Sequence, residues 1–217
     1  MYTNSALTNN YTYTGAVINN YNHFDLRLDH DFGSKWHSFV RFSHLSNPNT
    51  PFADFPGSNG VASQGYGGPS KSSAYSASFD NAITLSPSLV MDLRAGFSRS
   101  AVVRTAFGGD SFDLSSLNLP ASYVSVASAN AAVFPNFGLG NGYASLGSAG
   151  YVPLLENPSA VDFNPSIVKV LHGHSITIGG EYRKLFLNFH QYGYPSGQFS
   201  TIDNTWTQSV VPNEGTA

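Results

Sequence analysis

Apolar and polar residues alternate with a period of two along most of this chain. That pattern admits only strands whose two faces meet different surroundings. From His23 onward, Phe24, Leu26 and Leu28 fall on one face and Asp25, Arg27 and Asp29 on the other. Leu89, Met91, Leu93, Ala95 and Phe97 alternate with Val90, Asp92, Arg94, Gly96 and Ser98. Ile176, Ile178, Gly180 and Tyr182 alternate with Thr177, Gly179, Glu181 and Arg183. A fourth run sets Tyr75, Ala77 and Phe79 against Ala74, Ser76, Ser78 and Asp80, and continues to Ile83 and Leu85. Trp36–Leu45 and Ser159–Leu171 alternate less regularly but still read as strands. Pro165 interrupts the second of these and predicts order only from near Ser166. Helical spacing is nearly absent, so the sequence predicts an all-β fold of about six or seven strands.

The connections say how the strands are joined. Asp31–Lys35, Leu85–Ser88 and Leu171–His174 have the composition of tight hairpin turns. Between the hairpins lie stretches rich in Gly, Pro, Ser and Asn, about 47–70 and about 107–158, and a third long segment opens near Gln191. Strict alternation of short and long connections predicts an antiparallel up-and-down meander. Every tight turn then falls at one end of the sheet and every long loop at the other. A compact soluble domain seldom holds a structureless loop beyond about 12–15 residues. Short turns at one end and long loops at the other are ordinary in an outer-membrane β-barrel, whose strands of roughly 9–11 residues alternate apolar-out and polar-in.

Composition supports that setting. Charged residues make up only 11% of the 217, against roughly 25% in an average soluble domain. The balance of 10 Lys+Arg against 13 Asp+Glu excludes a basic nucleic-acid-binding face. The absence of cysteine excludes disulfides and thiolate metal sites. No run of ~18 apolar residues exists to form a spanning helix. In a barrel, Arg27, Asp29, Arg41, Asp92, Arg94, Glu181 and Arg183 are expected to face a wet lumen. Leu26, Leu28, Phe79, Met91, Leu93, Ile176 and Ile178 are expected to face lipid. Phe32, Trp36, Tyr182, Phe186, Tyr192 and Tyr194 lie near strand ends, where barrels carry aromatic girdles.

Several segments, in order, resemble the barrel of Oar-like TonB-dependent outer-membrane receptors. They are Asn22-His23-Phe24-Asp25-Leu26-Arg27-Leu28-Asp29-His30, Val40-Arg41-Phe42-Ser43, and the run from Leu85-Ser86-Pro87 through Met91-Asp92-Leu93-Arg94 to Arg99. Phe112-Asp113 through Leu119-Pro120 and Phe134-Pro135 follow in the long loop, then His174-Ser175-Ile176-Thr177-Ile178-Gly179-Gly180-Glu181-Tyr182-Arg183 and Pro195-Ser196-Gly197-Gln198-Phe199. The resemblance covers most of the chain, from about residue 15 to about 205. It implies residues 1–217 as part of a large receptor barrel, an open sheet in isolation, with signal peptide, plug domain and remaining strands absent. It also implies a plug domain and the TonB complex as partners, an extracellular solute as cargo, and no cofactor.

Sharper motifs have bland competitors. His23, His30, His37 and His44 are spaced by seven, but a turn at Gly33 intervenes and odd spacing alternates faces along a strand. His172 and His174 bracket a turn glycine, a setting commoner than a metal site. Gly138-Leu139-Gly140-Asn141-Gly142 follows no strand and opens no helix, so it reads as a flexible loop and not a nucleotide fingerprint. No Gly-x-Ser-x-Gly elbow is present and no motif supports an enzyme. The pairs Arg27/Asp29, Asp92/Arg94 and Glu181/Arg183 serve either as cross-strand ion pairs of a polar wall or as a conduit for solute.

The leading expectation is therefore a segment of an outer-membrane receptor that takes up solute at its extracellular loops. A non-transporting adhesin or porin-like barrel is the first alternative, separated by the presence of a plug. A secreted β-sandwich that binds carbohydrate is the second, separated by partition into detergent micelles.

Overall fold

The computed structural model describes residues 11–63, 67–129, 131–139 and 143–202. Strands β1 (Ile18–Asn19), β2 (Asn22–Asp31), β3 (Trp36–Thr50), β4 (Ser70–Ser86) and β5 (Leu89–Arg104) come first. A short helix α1 (Ala121–Ala127) and strand β6 (Asn136–Leu139) follow, then β7 (Leu154–Leu171), β8 (His174–Gly179), β9 (Tyr182–Gln191) and β10 (Gln198–Ile202). Both β1 and β2 pair with β3, and both β8 and β9 pair with β7. Each set is one long outer strand with a break, so the sheet is a meander of six long antiparallel strands, open and curled into a half-barrel.

Register places the turns. Trp36, just after the first turn, pairs with Ile83 near the end of β4, and Leu89 pairs with Lys169 near the end of β7. The turns at Gly33, Pro87 and Gly173 therefore lie at one end, and segments 51–69 and 105–153 at the other, as the alternation of connection lengths requires. Gly33 adopts φ +78° and Gly173 φ +89°, values that let two-strand turns follow the right-handed twist.

The strands outrun the sequence pattern. β3 continues to Thr50, and β7 begins at Leu154 and passes through both Pro158 and Pro165. The expectation that order starts near Ser166 is corrected. Pro165 presents its carbonyl to the Gly180 N–H at 3.1 Å, and its missing donor points at the gap between β8 and β9. Pro48 does the same for the other outer strand, accepting from Asn20 N–H at 3.1 Å opposite the gap between β1 and β2. A proline costs a strand one ladder bond only on one side. In both places that side is where the partner is interrupted.

The core is not in the sheet. Among the described residues, the buried aliphatic and aromatic side chains all lie between Ala106 and Val152, within the longest connection. Ala106, Val133, Ala149 and Val152 form its centre. This connection is not the polar, irregular stretch its composition suggests. It holds a 3-10 turn at Leu114–Leu117, α1 and β6, and β10 returns to pair in parallel with β6. Gly138 lies in β6 and not in a flexible loop; Gly140 and Gly142 lie outside the described residues.

Candidate functional site: a two-faced wall under a folded cap

Residues paired across an antiparallel ladder point to the same side, so the registers sort every side chain in the sheet. One face carries, row by row, Asp25–Ser43–Ser76–Ser98–Ala160–Leu185, then Arg27–Arg41–Ser78–Gly96–Asp162–Arg183, then Asp29–Phe39–Asp80–Arg94–Asn164. The opposite face carries Leu26–Phe42–Ala77–Phe97–Val161–Lys184 and Leu28–Val40–Phe79–Ala95–Phe163–Tyr182. Toward the turns it adds Met91, Leu93, Ile167, Ile176 and Ile178. Arg27, Asp29, Arg41, Asp92, Arg94 and Arg183 thus share the charged face, and Glu181, in the break between β8 and β9, joins it through its ion pair with Arg183. Leu26, Leu28, Phe79, Met91, Leu93, Ile176 and Ile178 share the apolar face.

The charged face satisfies itself. Arg27 bonds Asp29 at 2.7 Å, Arg183 bonds Glu181 at 2.7 Å, and Arg94 Nε reaches Asp92 at 2.8 Å. Each of these pairs joins residues two apart along the chain, and Glu181 lies in the break between β8 and β9. Cross-strand partners appear as well. Arg41 meets Asp25 at 2.8 Å and Arg94 meets Asp80 at 2.6 Å. Asp25 is a hub that the sequence reading passed over. It also accepts from Ser43 Oγ and lies 2.9 Å from His23 Nε2. His37 sits between Asp31 and Asp29, at 2.8 and 3.4 Å. His30 and His44 fall on the apolar face, edge-on to Phe32 and stacked on Tyr75. The spacing of seven therefore assembles no site, and the described residues hold no cluster of three or more metal-type ligands.

Gly96 has a packing reason. A Cβ there would lie 2.5 Å from Asp162 Oδ1, so the carboxyl group rests directly on the glycine, held by Asn164 Nδ2 at 2.8 Å. Gly96→Val is expected to push Asp162 off the wall at about 1–3 kcal/mol, the usual cost of overpacking. It is read as a lower temperature of loss of the compact band on unheated gels; an unchanged transition would remove this role from Gly96.

Midway down the apolar face, Ser38 and Asn81 lie opposite each other, and both are covered. Asn81 is 4% exposed, and its Oδ1 accepts from Trp36 Nε1 and from Ser38 Oγ, each at 3.0 Å. An unsatisfied amide in that face would cost several kcal/mol in hydrocarbon. Trp36 also packs on Phe32 at 4.4 Å, which forms an aromatic cluster at the turn end.

Above the charged rows, a groove of about 610 Å³ runs across the charged face and is lined from His23 on β2 to Leu185 and Leu187 on β9. One cavity reaching both outer strands means that the sheet curls toward this face. Its floor is small: Ala74, Ser76, Ser98 and Ser100.

Beyond the groove the long segments fold into a cap. Val133 N–H donates to Ser196 Oγ at 2.9 Å, Ser196 Oγ donates to Ala131 O at 3.2 Å, and the Tyr123 hydroxyl donates to Ser196 O. Phe137 stacks on Phe199 at 5.0 Å, and Ala62 O accepts from Gly147 N–H at 2.8 Å. Tyr194, an expected girdle residue, instead packs over Gly150 in this cap. Asp113 opens the 3-10 turn. The Ser115 hydroxyl and N–H both donate to its carboxylate and hold it below the usual carboxylate range. Burial raises the Tyr123 phenol above its ordinary value.

A curled, open antiparallel meander, apolar on one face and ion-paired on the other, with the buried core of its described residues in the loops, defines an outer-membrane β-barrel. The model of the outer membrane beta barrel domain family matches residues 2–216, and the chain belongs to that family. Its place is the outer membrane of a Gram-negative bacterium. No curated protein and no solved structure matches it.

Proposed function

We propose that this chain is a barrel segment of a TonB-dependent receptor that captures a solute at its outward loops and passes it inward along the charged face. The observation that carries the reading is the cap. Three connections far apart in sequence fold into one body with its own buried centre, directly above a self-paired charged wall. An ordered body of this kind presents a fixed surface for recognition, which an unobstructed pore has no need of. In this reading Arg27, Asp29, Arg41, Asp92, Arg94, Glu181 and Arg183 line the lumen. Leu26, Leu28, Phe79, Met91, Leu93, Ile176 and Ile178 meet lipid. Arg–carboxylate pairs keep the wall neutral locally while leaving it wet, and the groove under the cap is the entry to the conduit. The partners are a plug domain in the lumen and TonB acting on it; the role is non-catalytic.

The test is genetic. Cells lacking this protein and cells depleted of TonB are grown on panels of single carbon, iron and other nutrient sources. A shared defect on the same nutrient, relieved by restoring the gene only when TonB is present, is the expected result. Relief that is independent of TonB would replace this reading with a passive or adhesive barrel.

A further inference from the structure

The sheet sorts charge by sign as well as by polarity. Among the described residues, every carboxylate of the six long strands lies on the charged face. The apolar face carries Lys71, Arg99, Lys169 and Lys184 and no acid. Lys169 is at the turn end and bonds Ser88 Oγ at 2.9 Å. The other three lie toward the loops, exposed and in no ion pair with a described residue, and Lys184 leans over the Phe186 ring at 5.0 Å.

Their height is informative. Arg99 belongs to the row His44–Tyr75–Arg99–Ser159–Phe186, where the His44 ring stacks on Tyr75 at 4.5 Å. The next row toward the loops, Ser46–Ser73–Asn157–Asn188, is polar apart from Ala101 opposite Ser73. Tyr75 and Leu85 are ten residues apart on β4, which is about 33 Å of strand. At a tilt of about 35–45° that gives roughly 25 Å of apolar height, the band of a membrane barrel. Immediately below Arg99, an apolar trough of about 390 Å³ has Ala77 and Ala95 as its floor, with Leu26, Phe42, Phe79 and Phe97 around it. Two alanines among phenylalanines leave a recess under an uncompensated guanidinium.

We propose that this recess seats a phosphate-bearing lipid of the outer leaflet, its acyl chain over Ala77 and Ala95 and its phosphate on Arg99, with Lys184, on the outer strand beyond β7, adding longer-range attraction. This rests on the reading that the apolar face meets lipid and the loops face outward. Complementarity selects the partner. Cations without carboxylates sit where headgroups lie, and a planar guanidinium matches phosphate oxygens in a two-pronged bond.

The complete outer-membrane protein is delipidated in neutral detergent and titrated with phosphatidic acid or phosphatidylcholine, and bound lipid is counted by native mass spectrometry. One phosphatidic acid should bind about fivefold or more tighter than phosphatidylcholine, the scale of one interfacial cation. Arg99→Gln should remove the preference and Arg99→Lys retain most of it. Ala77→Phe, which fills the recess, should weaken both lipids. Equal binding by the native protein overturns the proposal. So does a preference that survives Arg99→Gln, or one lost equally with Lys35→Gln at the turn end. Failure of the underlying face assignment looks different: Leu93→Arg then assembles normally, whereas loss of this seat alone leaves Leu93→Arg defective.

Discussion

Leu93→Arg should sharply reduce the amount of folded protein in the outer membrane, and Arg94→Leu should not. The two positions are adjacent on β5, so depth and strand propensity are matched and only the face differs. Leu93 lies in the row of Ser38, Asn81 and Pro165, midway down the apolar band. An arginine facing lipid there costs about 2–4 kcal/mol. Arg94 is 62% exposed and pairs with Asp80 and Asp92; a pair in water contributes about 0–1 kcal/mol. The measurement is the heat-modifiable fraction of each variant in outer-membrane preparations. Equal defects in the two variants would mean that lipid and lumen have been assigned to the wrong faces.

Val152→Asp should unfold the cap and spare the sheet. Val152 has no exposed surface and packs with Ala106, Val133 and Ala149. A carboxylate there would enter a centre made of Ala106, Val133 and Ala149, and an uncompensated buried charge costs about 3–5 kcal/mol. Val152→Ala, which only removes methyls, should cost about 2 kcal/mol. Because the buried centre of the cap, Ala106, Val133, Ala149 and Val152, lies outside the six long strands, the loss is local. A broad-specificity protease added to intact cells should cut Val152→Asp within 105–153 while the strands remain membrane-protected and heat-modifiable. A cap that stays resistant would show that its order comes from elsewhere.

The sheet was legible because its strands are two-faced. Leu26 against Arg27, or Leu93 against Arg94, states the fold locally, and the turns at Gly33, Pro87 and Gly173 state the topology. Strand ends were less legible. Pro165 forbids a donor, but whether that matters depends on the neighbouring strand, which is broken there. The cap was hidden for a related reason. Its contacts pair Val133 with Ser196 and Asn136 with Gln198 across some sixty residues, and its core consists of alanines and valines with no period to betray them. Asp25 was missed because its partners Arg41 and Ser43 lie on the next strand, and only register brings them opposite. Arg99 drew no notice because its meaning is the absence of an acid around it.

The closure of the cap by Ser196 sets an order of events during folding. The Val133–Ser196 and Asn136–Gln198 bonds join segments on either side of the entire β7–β8–β9 hairpin. Bringing such distant segments together is entropically unfavourable until the hairpin has already shortened the path between them. The last pair of strands must therefore dock before the cap can form, and the amide of Val133 should acquire protection from exchange later than the amides of β5. A half-inserted barrel would accordingly show an open, unformed outer surface, and recognition would switch on only once assembly had passed this point.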